Sequence, residues 1–201
     1  MVEPPSLTLQ AILFDSAEPA PDPTFATLAR HPLDQASWVD HAPGWLQGAD
    51  QAFTDLVATA PWAQRERRLY DKKLPEPRLT AVYGDELPPS LHAVCRALSD
   101  RYDVAFDSVL LNLYRDGRDS VAWHGDRIAR TVHEPKVATI TLGHRRRFLL
   151  RPKGGGTSRR FDPGPGDLVV MGGASQTAWE HTVPKVASAG PRISITVRHS
   201  R

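Results

Sequence analysis

Short segments with alternating apolar and polar positions dominate the second half of the chain. From Asp107 onward seven β-rich segments follow one another, separated by turn residues: SVLLNLYR, SVAWH, KVATITLG, RFLLRP, DLVVMGG, TAWEHTV and RISITVRH. Segments of this length, rich in β-branched residues and bounded by turns, are typical of strands. Their number predicts a β-sandwich or barrel, and the glycine-rich KGGGTS is predicted to be the tip of a hairpin that follows RFLLRP.

The first half of the chain is richer in proline and predicts fewer elements. LTLQAILFD is predicted to be an opening strand, and helical spacing runs from Ala49 to Ala60. A second helix is predicted to begin at Pro88 and Pro89, with four apolar residues along one face: Leu91, Val94, Cys95 and Leu98. The chain has one cysteine, which cannot form an internal disulfide, so we interpret Cys95 as a core residue.

Length and composition limit the class of protein. The chain has 201 residues, which leaves room for one domain, and 40% hydrophobic with 24% charged residues is typical of a globular protein. Its segments are far shorter than the roughly 18 apolar residues of a membrane-spanning helix. The start, MVEPPSLTLQ, lacks the basic and then apolar order of a signal peptide. We therefore expect a cytoplasmic monomer with no membrane partner.

The last predicted strand has two chemically different faces. Arg192, Ser194, Thr196 and Arg198 alternate with β-branched apolar residues, so the four polar side chains share one face. A solvent-exposed polar face would produce the same alternation. Alternatively, two arginines that line the mouth of a barrel would bind carboxylates.

A second pattern points to a metal. His124 and Asp126 are two residues apart in an extended segment, and His181 follows 55 residues after Asp126. Two histidines and one carboxylate form the facial triad that holds Fe(II) in oxygenases. A His-x-Asp pair followed by a later histidine also arises by chance, so this pattern gains weight only from its neighbours. Asn112 and Tyr114 share a strand face ten residues upstream of it.

Four ordered blocks resemble the AlkB branch of the Fe(II)- and 2-oxoglutarate-dependent dioxygenases. NLYRDGRDSVAWHGD resembles the family segment that leads into His-x-Asp, WEHTVPK its distal-histidine strand, and PRISITVR its closing strand. PRLTAVYGD resembles part of the nucleotide-recognition lid of the DNA-repair members. The resemblance covers about residues 45–200. It implies a mainly β double-stranded β-helix, or jelly roll, with flanking N-terminal helices and a lid at about residues 62–87.

We accordingly divide the chain into a loop-rich extension at residues 1–44 and a dioxygenase domain at residues 45–201. The resemblance implies that His124, Asp126 and His181 bind iron and that 2-oxoglutarate and O2 are the cosubstrates. In this interpretation Arg192 pairs with the distal carboxylate of 2-oxoglutarate, and the remaining cosubstrate residues are Asn112, Tyr114, Ser194, Thr196 and Arg198.

Substrate contacts are predicted at several other positions. The resemblance places Tyr83 in the lid, and Trp123 either stacks on a base or packs at the rim of the barrel. Between His144 and Phe161 seven residues are basic and none is acidic, although the net charge of the chain is only +2. Such a run is either a solvated face or a nucleic-acid surface. The predicted substrate-binding residues are Tyr83, Trp123, Arg127, Arg145 and Arg147.

Three positions depart from the family pattern. Ser194 stands where many members have asparagine, and its hydroxyl still offers a hydrogen bond to a carboxylate. Ile128 stands where a repair enzyme places an acidic residue that reads the damaged base, which leaves base preference open. Gly125, between two predicted ligands, removes a side chain that would touch the substrate.

The function predicted on this basis is oxidative demethylation of N-alkylated bases in single- or double-stranded DNA, or alternatively in RNA, releasing formaldehyde, succinate and CO2. The missing acidic residue at position 128 motivates an alternative, a hydroxylase or demethylase of the same chemistry that acts on a protein or small molecule. A third possibility is a nucleic-acid-binding module whose barrel has no active metal.

Overall fold

The structure is a computed structural model that describes residues 17–69, 72–84, 86–126 and 132–199. Three helices are found in these ranges: α1 (Ala49–Thr59), α2 (Pro89–Tyr102) and α3 (Ser175–Ala178). The strands up to α2 are β1 (Ala20–Pro21), β2 (Ala29–Pro32), β3 (Ser37–Ala42), β4 (Leu46–Gln47), β5 (Glu66–Leu69), β6 (Lys72–Pro75) and β7 (Leu79–Tyr83). The later strands are β8 (Ser108–Tyr114), β9 (Val121–His124), β10 (Val137–Gly143), β11 (Phe148–Pro152), β12 (Arg159–Phe161), β13 (Leu168–Gly173), β14 (Trp179–Val183) and β15 (Arg192–Arg198).

Two antiparallel sheets form the jelly roll that the sequence predicts. The major sheet has the order β2-β3-β13-β10-β15-β8-β7, and the minor sheet has the order β12-β11-β14-β9. β1 pairs with β4 and β5 with β6 in separate two-stranded sheets. A cavity between the two larger sheets is lined by side chains of β8, β10 and β15 on one side and of β9, β11 and β14 on the other.

Because successive side chains of a strand point to opposite faces, the major sheet has an apolar core on one face and this cavity on the other. On β15 the side chains of Ile193, Ile195 and Val197 pack into the core that α1 and α2 form with the outer face of the major sheet. Its four polar side chains therefore project to the opposite face and line the cavity. The alternative of a solvent-exposed polar face is wrong, because all seven residues of β15 except Arg198 are buried.

All seven β-rich segments of the second half form strands, and both predicted helices are present at close to their predicted bounds. Cys95 is buried on α2 with Leu91, Val94 and Leu98, as predicted. The KGGGTS segment joins β11 to β12, which pair antiparallel, so the predicted hairpin is confirmed. The predicted opening strand LTLQAILFD lies outside the described residues.

The N-terminal region contributes two strands, β2 and β3, to the major sheet, which a loop-rich extension would not. β3 pairs along its whole length with β13, and Trp38 lies opposite Gly172. The Trp38 ring occupies the space where a Cβ on Gly172 would stand, 2.2 Å from that position at its nearest atom. The boundary at residue 44 stays a prediction, but the residues of β3 belong to the sheet that carries the cavity. They went unpredicted because SWVDHA is short and mixes charged with apolar residues.

No helix in the part of the chain that the structure describes is long and apolar enough to cross a membrane.

Candidate metal centre and cosubstrate pocket

Strand pairing brings the three predicted metal ligands together. His124 ends β9 and lies directly opposite His181 on β14, while Asp126 follows two residues after His124. One ligand atom from each of the three side chains lies within 4.8 Å of the other two. The 55-residue separation between Asp126 and His181 thus disappears in the fold.

The surroundings of the two histidines favour metal binding in different ways. Nδ1 of His124 lies 2.9 Å from the carbonyl oxygen of Ala122. A carbonyl oxygen only accepts, so Nδ1 carries a hydrogen, and Nε2 is the nitrogen that would bind a metal, as in many metal sites. Burial lowers the pKa of His181 to about 4, and the imidazole is therefore neutral at neutral pH.

Asp126 has one carboxylate oxygen that is hydrogen-bonded and one that is available to a metal. Its Oδ1 accepts hydrogen bonds from Nε and Nη2 of Arg198, at 2.9 and 2.6 Å. Burial alone would raise the pKa of Asp126, but its electrostatic interactions with His181 and Arg198 outweigh burial and hold the pKa below its usual value. Oδ2 is buried without a hydrogen-bond partner among the described residues and lies 3.6 Å from Nε2 of His181. An unpartnered anionic oxygen between two imidazoles fits a divalent cation.

Arg192 provides the counterpart for a carboxylate. Its side chain is 1% exposed and donates one hydrogen bond, from Nη2 to the Thr141 hydroxyl at 3.0 Å. Nε and Nη1 are buried and have no partner among the described residues. A buried guanidinium with two unpaired N–H groups is costly, and a planar carboxylate would satisfy both of them. The chemistry of this end of the cavity therefore fits one carboxylate of 2-oxoglutarate.

The cavity contains every residue predicted to bind the cosubstrate. In addition to the three metal ligands, its lining includes Asn112, Tyr114, Arg192, Ser194, Thr196 and Arg198. Register explains the convergence, since Tyr114 lies opposite Arg192 and Asn112 opposite Ser194 on the paired strands β8 and β15. The roles assigned to these residues stay predictions, with one addition: Arg198, predicted to serve the cosubstrate, here binds Asp126.

Several cavity residues were not predicted. Arg78 lines the cavity and donates from Nε to Oδ1 of Asn112 at 2.9 Å. It lies in the PRLTAVYGD block, but a single arginine gives no signal of where it points. Thr139 lines the cavity and Thr141 binds Arg192. These two threonines alternate with apolar residues in β10, so the period-2 pattern could have identified them.

Gly125 has a packing role that the sequence did not indicate. A Cβ at this position would lie 3.3 Å from the carbonyl oxygen of Gln176 and 3.7 Å from Cε of Lys153. Nζ of Lys153 in turn donates to the same carbonyl oxygen at 3.1 Å. The absence of a side chain thus lets α3 and the β11–β12 hairpin approach the metal-ligand segment closely.

None of the four predicted substrate residues that the structure describes lies in the lining of the cavity. Tyr83 packs against the core under the helices, on the face of β7 opposite to that of Thr80, which pairs with the cavity residue Asn112. Trp123 projects away from the cavity because it neighbours the inward-facing His124 on β9. Its ring lies 4.1 Å from the guanidinium of Arg151, in agreement with the packing interpretation.

Arg145 and Arg147 lie in the β10–β11 connection, at the end of the sheets away from Asp126. Arg145 donates a hydrogen bond to the carbonyl oxygen of Asp162. The direction of β10 places these two arginines there, and the run of basic residues in the sequence does not indicate that direction. Arg127 and Ile128 lie outside the described residues, so the predictions for them stay open.

Comparison with known proteins agrees with this fold. The model of the 2OG-Fe(II) oxygenase superfamily matches residues 56–198, and the chain belongs to this superfamily. Within it, the similarity lies with the AlkB branch. The chain is 35% identical to the alpha-ketoglutarate-dependent dioxygenase alkB homolog 3 of Bos taurus, over 78% of this chain and 64% of that protein. It is 31% identical to the DNA oxidative demethylase ALKBH2 of Arabidopsis thaliana, over 73% of this chain and 60% of that protein.

The chain thus spans somewhat less than two thirds of the length of these relatives. Solved structures share the fold at lower identity. The structure of OsALKBH1 matches with a TM-score of 0.62 and 13% identity, covering 85% of this chain and all of that one. A 2OG-Fe(II) oxygenase family oxidoreductase from Burkholderia pseudomallei matches with a TM-score of 0.55 and 17% identity, over 81% of this chain and 84% of the other. The family cofactors are Fe(II), 2-oxoglutarate and O2, and the donor groups described above fit them.

Proposed function

We propose that this protein is an Fe(II)- and 2-oxoglutarate-dependent dioxygenase that removes methyl groups from base nitrogens of DNA. The observation that carries the proposal is a pair of unsatisfied groups in one cavity: the Oδ2 atom of Asp126 beside two histidines, and the two unpaired N–H groups of Arg192. Each of these groups is expensive to bury without a ligand. A metal and a carboxylate-bearing cosubstrate would satisfy both together.

In this function each residue has a definite task. His124, Asp126 and His181 would hold the iron, while Arg192 would bind the distal carboxylate of 2-oxoglutarate with Tyr114 beside it. When bound, the iron, 2-oxoglutarate and O2 together supply the oxidant for a C–H bond, and 2-oxoglutarate leaves as succinate and CO2. The buried walls of the cavity would exclude water from this chemistry.

Hydroxylation of a methyl group on a base nitrogen explains the proposed products. The methyl C–H becomes C–OH, and the resulting hemiaminal breaks its C–N bond to release formaldehyde. The proton of the hydroxyl group passes to the base, which regains its original form. The target base must leave the helical stack or come from a single strand to enter a cavity between two sheets.

DNA is the proposed substrate class for two reasons. The Arabidopsis relative is named a DNA oxidative demethylase, and the PRLTAVYGD block resembles the lid of repair enzymes. Lys153, on the hairpin that approaches the metal-ligand segment, adds a positive charge beside Gly125. An ammonium group at this place would bind a phosphate next to the flipped base.

The deciding experiment measures loss of the methyl group by mass spectrometry. A single-stranded oligonucleotide carrying 3-methylcytosine or 1-methyladenine is incubated with the protein, Fe(II), ascorbate and 2-oxoglutarate. His124→Ala removes a proposed metal ligand, and His92→Ala, an exposed histidine on α2, is the matched control. We expect demethylation by the wild type and His92→Ala but not by His124→Ala.

Other outcomes separate the alternatives. Succinate formation without loss of the methyl group would contradict the DNA substrate and favour a protein or small molecule. Absence of both activities would overturn the oxygenase proposal and favour a binding module.

A further inference from the structure

A basic depression lies at the end of the sheets opposite the proposed metal centre. Its volume is about 590 Å³, and it is formed by the β10–β11 connection, the end of β12 and the segment before β15. Four arginines and a histidine line it together with one carboxylate: His144, Arg145, Arg146, Arg147, Arg160 and Asp162. This concentration of positive charge is separate from the cavity of the proposed active site.

The strand register gives the distance between the two places. On β10 and β15 the pairs run from Val137 opposite Arg198, the partner of Asp126, to Gly143 opposite Arg192. On the facing sheet Leu150 of β11 lies opposite the metal ligand His181, and the Phe148 and His181 ring centroids are 5.3 Å apart. Arg147 therefore lies three residues, or about 10 Å at roughly 3.4 Å per residue, from the level of His181.

Some of the positive charge in the depression is already compensated, and some is available. Nε of Arg160 binds the carboxylate of Asp162 at 2.7 Å. The buried Arg146 donates from Nη1 and Nη2 to three backbone carbonyl oxygens, yet its Nε has no partner among the described residues. Arg147 is exposed, and no described residue forms a hydrogen bond or ion pair with its guanidinium. Anchored and free arginines together make a site for an anion.

Basic residues also connect the depression with the mouth of the cavity. The first strand of the β11–β12 hairpin begins directly after Arg147. The tip of the hairpin begins at Lys153, which lies close to Gly125. The exposed Arg159 stands on β12 between these ends, whereas Nε of Arg151 on β11 is paired with Oε1 of Glu180 at 2.6 Å. The basic run recognised in the sequence is therefore extended along the hairpin rather than gathered at the active site. A linear polyanion would follow such a strip.

We propose that the depression binds phosphates of the substrate nucleic acid at a distance from the base that is demethylated. This inference rests on the proposed function, because it assigns a second contact to the same substrate. At the roughly 3.4 Å phosphate spacing of a B-form strand, a separation of about 10 Å corresponds to about three nucleotides. An oligonucleotide must therefore extend about three nucleotides past the target base to reach Arg147.

The test compares two substrates and two variants. A 15-mer and a 5-mer each carry one central methylated base, so only the longer strand reaches the depression. Arg147→Gln removes the available charge, and Arg96→Gln, an exposed arginine on α2, removes the same charge elsewhere. We expect Arg147→Gln to lower kcat/KM on the 15-mer by at least about threefold while activity on the 5-mer stays unchanged. Arg96→Gln should change neither value.

Binding of an unmodified 15-mer, followed by fluorescence anisotropy at several salt concentrations, gives a second readout. Loss of one phosphate contact should reduce the slope of log K against log salt by roughly 0.7 for a single strand. Equal effects of Arg147→Gln on both oligonucleotides, or no effect on either, would overturn the inference. If the wild type demethylates neither oligonucleotide, the proposed function fails, but the binding data still decide whether the depression holds a polynucleotide.

Discussion

Arg198 binds one oxygen of the Asp126 carboxylate and leaves the other free to face His181. Both hydrogen bonds, at 2.9 and 2.6 Å, go to Oδ1, while Oδ2 lies 3.6 Å from Nε2 of His181. The arginine therefore orients the carboxylate toward the two histidines and stabilises its charged form. A group that acts on a metal site through one of its ligands commonly affects metal affinity strongly.

Replacing Arg198 should weaken metal binding. We expect Arg198→Gln to lower the affinity for Mn(II) by about 10- to 100-fold, because Asp126 loses both hydrogen bonds that orient it. Arg198→Lys retains the charge and should recover part of the loss. Isothermal titration calorimetry provides the measurement, with Arg96→Gln as a control for a change of one charge. Unchanged affinity in Arg198→Gln would show that Asp126 is oriented without this contact.

Replacing Arg192 should separate cosubstrate binding from folding. Methionine at this position removes a buried guanidinium with two unpaired N–H groups, so the melting temperature without 2-oxoglutarate should stay the same or rise. The wild type with Mn(II) should gain about 2.7 kcal/mol of stability at 2-oxoglutarate concentrations 100 times its Kd. Arg192→Met should lose this gain. A marked fall in melting temperature without ligand would instead assign Arg192 a structural role.

Gly172 should be essential for packing of β3 on β13. An alanine Cβ would meet three ring atoms of Trp38 at 2.2 to 2.6 Å. We expect Gly172→Ala to cost about 1–3 kcal/mol in the free energy of unfolding, measured by urea denaturation. Gly84→Ala is the matched control, because its Cβ would meet nothing within 4 Å. Equal stability of the two variants would mean that β3 is only loosely attached to the sheet.

Asp34 should make the protein sensitive to acid. The hydrogen bond from Nε1 of Trp179, at 2.6 Å, is the main reason that the pKa of Asp34 lies below its usual value. A lowered folded pKa adds stability that is fully present above the unfolded pKa of about 3.9 and is lost as the pH falls through the folded value. Asp34→Asn should therefore be less stable than the wild type at pH 7 and should lose less stability between pH 7 and pH 3.

Tryptophan fluorescence during urea unfolding at each pH measures this difference. Asp100→Asn, on an exposed position of α2, is the control. An unchanged pH dependence in Asp34→Asn would contradict the proposed contribution of the Trp179 contact.

The strands and the site chemistry were predictable because they depend on local order. Alternation on β15 separated Ile193 and Ile195 from the polar residues of the cavity, and the side chains of a strand alternate whatever the strand pairs with. The spacing of His124 and Asp126 is local in the same way. The pairing of His181 with His124 required the family resemblance, because they are 57 residues apart in the chain.

The placement of the substrate residues was not predictable, because it depends on register and strand direction. Tyr83 lies in the expected block, but its register with Val109 on β8 turns it toward the helices. Shifting a strand by one residue exchanges its faces, and no local signal specifies that shift. Arg145 and Arg147 follow the last residue of β10. Since β10 begins opposite Arg198, the partner of Asp126, and runs away from it, the two arginines lie at the other end of the sheet.

The sequence by itself determined the strand-rich fold, the spacing of His124 and Asp126, and the polar face of β15, because local periodicity and residue type carry this information. Its resemblance to a family added His181 to the predicted metal ligands. Only the tertiary structure decided that Arg198 binds Asp126, that Arg78 reaches the cavity and that the basic run extends about 20 Å along a hairpin. These relationships join residues far apart in the chain, and their geometry arises only when strand pairing and sheet packing bring the residues together.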